Sequence, residues 1–144
     1  MTPMNIPVLV LLGFAAWTLL TLFASIGVYR WRRILTGSAS IAEWRADVPQ
    51  GSDRYQRAMR AHMNCVENLP IYGAIVLALI ATGVRSHLID WLSVTMLAAR
   101  IAQTVAHIGL RPTNAAASLR FALFFVQPVC MITMGIMVTA TMVR

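Results

Sequence analysis

The chain has 144 residues, enough for one domain, and is 58% hydrophobic with only 12% charged residues. Soluble domains carry about 25% charged residues, so the balance excludes an ordinary soluble protein and points to a membrane protein. The net charge of +7 comes from 12 basic residues, all arginine, against five acids, and the way they crowd between apolar stretches speaks against a nucleic-acid surface.

Met1 to Tyr29 carries no charge. It is long enough to cross the bilayer, where a span needs roughly 20 apolar residues for about 30 Å of hydrocarbon. Pro3 and Pro7 precede or open this first helix, expected over residues 6–29. The stretch has no basic leader, its apolar run is too long for a signal peptide, and Arg30 to Arg33 follow as a stop signal. It therefore reads as a retained helix. Thr36 to Ser52, with Gly37, Pro49 and Gly51, reads as a loop holding a short helix around Ile41 to Ala46. Asp53 with Gln56 three residues on has the pattern of an N-cap, opening a second helix over residues 54–82 that Gly83 ends. A third helix is expected over 87–109, interrupted by Arg100 and His107. The tight turn "GLRPTN" follows, and Asn114 is the expected cap of a fourth helix over 114–142. The expected fold is all-α: an integral membrane, up-and-down bundle of four transmembrane helices.

The arginines set the expected orientation. Arg30, Arg32, Arg33, Arg45, Arg54 and Arg57 crowd the first connection and Arg111 lies in the third, whereas Arg85 is the only base in the second. By the positive-inside rule the first and third connections face the cytoplasm and both termini lie on the far side. Cys65 and Cys130 sit in different helices at different depths, so no disulfide framework is expected. His62, Glu67 and His107 have no ligand-like spacing, so no metal site is expected either.

"RAMRAHMNCVENLP" carries charge into the second helix. Arg60, Asn64 and Glu67 are spaced four and three apart and line one face, which Arg57 extends by a turn. Arg100, Gln103 and His107 repeat the spacing on the third helix, and Arg120 stands near the start of the fourth. A charge at the centre of a span costs roughly 2.5–3.5 kcal/mol, so these residues should face protein or a wet cavity. One reading is a satisfied polar network, with Glu67 pairing Arg60 or Arg100 and Asn64 bridging backbone groups. The other is an anionic ligand, because arginines near the membrane outnumber the single carboxylate Glu67.

"RAHMNCVENLP" resembles the R-A-x-x-N-x-x-E-x-x-P signature on the second helix of the MAPEG superfamily, the membrane-associated proteins of eicosanoid and glutathione metabolism. "ARIAQTVAHIG" is similar to that family's third helix and "SLRFALFFVQP" to the start of its fourth, so the resemblance covers nearly the whole chain in order. It implies a homotrimer in the membrane, with glutathione as co-substrate held between protomers near the cytoplasmic face. It implies that Arg60, Asn64 and Glu67 hold the peptide, that Arg30 contacts a carboxylate, and that Arg120 faces the sulfur as the catalytic residue. Gln103 and His107 stand where the family often has tyrosines that touch glutathione, and can still hydrogen-bond. Arg100 is expected to serve packing or the polar network, and His62 to line the edge of the site. Met63 occupies the position of a second arginine in prostaglandin-forming members, so that isomerase activity is not expected.

The expected function is that of a glutathione-dependent transferase or peroxidase acting on hydrophobic electrophiles that arrive from the bilayer. The alternative is a non-catalytic lipid- or ligand-binding membrane scaffold of the same fold. A channel has little support, since no polar path crosses the bilayer. The compact, all-arginine sequence fits a bacterial inner membrane.

Overall fold

The computed structural model describes residues 5–44 and 51–143. Pro3 ahead of the first helix, and Arg45, Ala46 and Pro49 in the first loop, lie outside the described residues. Among the described residues there are four long helices: α1 (Ile6–Leu35), α2 (Asp53–Thr82), α3 (His87–Gly109) and α4 (Asn114–Met142). A 3-10 turn, Ile41–Glu43, is the described part of the short helix expected in the first loop.

The Asn5 side chain caps α1, accepting from the Val8 amide at 3.4 Å, and Pro7 lies in the first turn, where a missing N–H does no harm. α1 runs past its expected end at Tyr29 to Leu35, because arginine is a good helix former and the charged turn has left the apolar layer. It is not uniform. Leu22–Gly27 is a π-helical segment, which inserts one residue into the turn. Above it Pro7, Val10, Phe14, Thr18 and Thr21 are buried at steps of three or four, and the next buried residue, Ile26, comes five further on. The extra residue keeps the lower half of α1 in phase with the core.

Two caps lie one residue earlier than expected. Ser52, with ψ 156°, accepts from the Tyr55 amide and caps α2, while Asp53 falls in the first turn and bonds Arg57 at 3.1 Å. Thr113, with ψ 160°, accepts from the Ala116 amide and caps α4 in place of Asn114. In both cases the cap is the last residue with extended backbone, and the polar residue after it is already helical. Gly83 ends α2 in the left-handed conformation, φ 67°, as expected.

Successive helices are antiparallel, and the long-range bonds show it. On α1 and α2, Tyr72 donates to the Pro7 carbonyl at 3.1 Å while Arg30 reaches Tyr55 at the other end. On α3 and α4, Ser93 pairs with Met134 and Gln103 with the Arg120 carbonyl. The core runs along the bundle through Phe14, Cys65, Tyr72, Val76, Met96 and Met134. A smaller cluster of Ile26, Tyr55 and Ala58 lies at the arginine-rich end.

α1, α2 and α4 are long and apolar enough to cross a membrane, with mean hydropathies of 2.3, 1.7 and 2.1. α3 is not among them, in keeping with the interruption by Arg100 and His107 that its sequence shows, and it completes the expected bundle of four helices. Its Ser93, Arg100, Gln103 and Thr104 lower its hydropathy, and all four are buried inside the bundle. The exterior carries Leu12, Leu19, Phe23, Leu77, Phe125 and Ile136, all largely exposed, as a lipid-facing surface requires.

Candidate functional site

The polar face of α2 lies on the outside of the protomer. Arg60 and Glu67 are exposed and Asn64 is half-buried. Among the described residues none of the three makes a side-chain hydrogen bond, and the one ion pair is Arg57 with Asp53. The internal pairing weighed for Glu67 is therefore absent within the described residues: neither Arg60 nor Arg100 bonds it.

Behind this face lies a buried polar network that joins three helices. Arg100, 1% exposed, donates from Nη1 to Gln103 Oε1 at 2.9 Å. Gln127 Nε2 donates to the same Gln103 oxygen at 3.0 Å and to the Leu123 carbonyl at 2.7 Å. Asn68 Nδ2 donates to Gln127 Oε1 at 3.3 Å, and Gln103 Nε2 to the Arg120 carbonyl at 3.3 Å. Gln103, one of the residues expected at the ligand, is thus 2% exposed and spends its amide inside the protomer. Asn68 and Gln127 were not singled out by sequence reasoning. Both are uncharged amides off the stripe, and their only signal is an amide at a position that the helical period assigns to the core.

Arg120 is half-buried near the start of α4, its Nε donating to the Ala116 carbonyl at 2.9 Å. That bond turns the guanidinium back along its own helix and holds it by a neutral acceptor. His107, on the last turns of α3, is half-buried with Nδ1 shielded and without a partner among the described residues. Arg60 on α2, His107 on α3 and Arg120 on α4 all lie toward the arginine-rich end of their helices. His62 pairs with the Thr21 hydroxyl at 3.3 Å, between α1 and α2. Cys65 and Cys130 are free thiols, both buried.

Arg30 arrives at the same end on the last turns of α1, but its setting differs from that of Arg60 or Arg120. Its Nε donates to the Tyr55 hydroxyl at 2.6 Å, and its guanidinium lies 5.3 Å from the Trp44 ring centroid and 5.8 Å from that of Tyr55.

These side chains offer the chemistry that an anion would need. Arginines are permanently charged and offer forked donors to carboxylates. Asn64 can bond peptide groups, and Glu67 is the one acid on the face, suited to an amine. A model of the MAPEG family matches residues 10–140. No curated protein and no solved structure matches the chain.

Proposed function

The chain belongs to the MAPEG family, and on that premise we propose that it is a membrane-bound, glutathione-dependent transferase or peroxidase acting on hydrophobic electrophiles. The observation that carries this reading is the outward-facing row of exposed Arg60 and Glu67 with half-buried Asn64, without side-chain partners among the described residues, on a helix that is otherwise apolar enough to span the bilayer. A charge facing hydrocarbon costs roughly 2.5–3.5 kcal/mol near the centre of a span. Covering the row with a second protomer and a polar ligand removes that cost. The donor set fits glutathione: arginines for its two carboxylates, Glu67 for its amino group and Asn64 for its peptide groups. The assembly this reading needs is the homotrimer of the family resemblance, with the ligand between protomers.

Arg120 is the residue we assign to the thiol. A free thiol has a pKa of about 8.5, and the thiolate is the nucleophile. A guanidinium beside the sulfur favours the anion and cannot itself lose its charge in this range. In conjugation the sulfur forms a bond to the electrophilic carbon as the leaving group departs with the bonding pair. The thiol proton passes to solvent at the wet end of the site, so no side-chain base is needed.

The test is glutathione binding to the detergent-solubilised protein, followed by calorimetry and by the ultraviolet absorbance of the bound thiolate, in wild type and Arg120→Ala. The expected result is a thiolate signal in wild type that the variant loses while binding survives, with turnover down about 10²–10³-fold, the usual effect of removing one preorganised charge-stabilising donor. Binding with no thiolate signal in wild type would overturn the enzymatic reading and favour a non-catalytic ligand-binding scaffold. No binding would overturn both.

A further inference from the structure

Arg30 is held by neutral aromatic groups where other arginines at this end are neutralised or free. Arg57 bonds the Asp53 carboxylate at 3.1 Å, which cancels its charge. Arg30 instead bonds a phenol, whose oxygen accepts from Nε without contributing a counter-charge. Its Nη2 faces only the Met59 sulfur at 4.0 Å, and Nη1 has no partner among the described residues. The fork therefore keeps its full charge while its direction is fixed.

Three rings do the fixing. Tyr29 stacks on Tyr55 at 4.5 Å, and Trp44, from the first loop, closes on both at 5.9 and 5.6 Å. The loop is fitted to this group. The Ser52 amide donates to the Tyr29 hydroxyl at 3.1 Å, and Arg33 donates to the same hydroxyl at 3.3 Å. Gly51 has φ 79°, and a Cβ there would lie 2.8 Å from the Tyr55 ring and 3.1 Å from the Tyr29 hydroxyl. Only glycine lets the chain pass so close in that conformation. The π segment of α1 contributes as well, since it is what brings Tyr29 and Arg30 round to face α2.

We propose that Tyr55, supported by Tyr29 and Trp44, is a positioning residue that aims the Arg30 guanidinium at one carboxylate of the peptide ligand, so that the first loop helps set affinity and ligand choice. The inference rests on the glutathione reading above. A free arginine side chain loses rotamer freedom when a ligand fixes it, and Tyr55 removes that loss from the binding step. A ligand without the matching carboxylate gains nothing from the arrangement.

The experiment uses the full chain in detergent or lipid nanodiscs. Glutathione and two analogues, each with one carboxylate amidated, are titrated into wild type, Tyr55→Phe, Arg30→Ala and the double variant. Tyr55→Phe keeps the stacked ring and loses the acceptor. It should weaken glutathione binding about tenfold, the scale of one hydrogen bond to a charged group. KM should rise by the same factor with kcat nearly unchanged. One amidated analogue should bind wild type and Tyr55→Phe alike, and the double variant should bind no more weakly than Arg30→Ala. If Tyr55→Phe does not fold, Trp44→Leu serves in its place, with a smaller loss that again disappears in the Arg30→Ala background. Unchanged glutathione binding by a folded Tyr55→Phe overturns this inference alone, as do losses that add in the double variant. Absence of binding to wild type overturns the functional reading, and this inference with it.

Discussion

Arg100 is the residue whose placement costs the most. It is 1% exposed, and its Nε and Nη2 have no partner among the described residues. Its compensation is one bond to Gln103 and the Phe14 ring at 5.9 Å. A cation over an aromatic ring returns about 2 kcal/mol when desolvated, whereas a buried ion costs several. Replacing it with an apolar side chain of similar reach should therefore help: Arg100→Met is expected to stabilise the isolated protein by about 1–4 kcal/mol, seen as a higher Tm. Gln103→Leu should do the reverse, costing about 3–5 kcal/mol, since it strips the buried charge of its one acceptor and removes one of the bonds that hold Gln127. A fall in Tm for Arg100→Met would show that the guanidinium is paired with an anion in the assembled protein. The sequence pattern placed Arg100 and Gln103 on one face of α3, since three-residue spacing on a helix permits nothing else. It did not reveal Asn68 or Gln127 as their partners, because those come from α2 and α4 and only packing brings them in.

At the scale of the element, the boundaries of α2, α3 and α4 followed from charge gaps, caps and one glycine. Gly83 shows why that signal is dependable: it sits at φ 67° with open space around it, so the cost of a side chain is purely conformational. Gly83→Ala should destabilise by about 1–2 kcal/mol, read as a shift in the thermal midpoint. The two caps were misplaced by one residue because Ser52–Asp53 and Thr113–Asn114 each offer two good candidates, and the backbone angle chooses between them. The π segment of α1 left no mark in an uninterrupted apolar run. It gives a sharp expectation nonetheless. Deleting Ala24 should convert the segment to ordinary α-helix and keep Arg30 facing Tyr55, with a stability change within about 1 kcal/mol. Deleting Leu12 from the regular part of α1 turns everything on one side of the deletion by about 100° relative to the other and should cost several kcal/mol, by exposing one buried face. Equal losses from the two deletions would refute the phase role of the π segment.

For the whole molecule, the protomer is a bundle whose inside and outside are both incomplete as described. The inside holds an arginine without a counter-ion among the described residues, and the outside carries a row of charge on a helix that should face lipid. In the proposed function, assembly through α2 would cover the second. Ala74 is exposed on the same face as Arg60 and Glu67, two turns further along. Ala74→Trp should shift chemical cross-linking in membranes from trimers toward monomers and abolish glutathione binding, while leaving the protomer folded. Retention of trimers in that variant would place the contact on another helix.

The amino-acid sequence by itself determined that the chain is helical, that it lives in a membrane, and which face of α2 carries Arg60, Asn64 and Glu67. Those properties follow from hydropathy and from the helical period, which are local. Tertiary structure alone decided that Arg30 is held by Tyr55 and Trp44, that Gln103 turns inward to meet Gln127 and the Arg120 carbonyl, and that Asn68 joins them from α2. Each of these joins residues far apart in the chain. Their meeting depends on how antiparallel helices are rotated about their axes, which no spacing within one helix specifies.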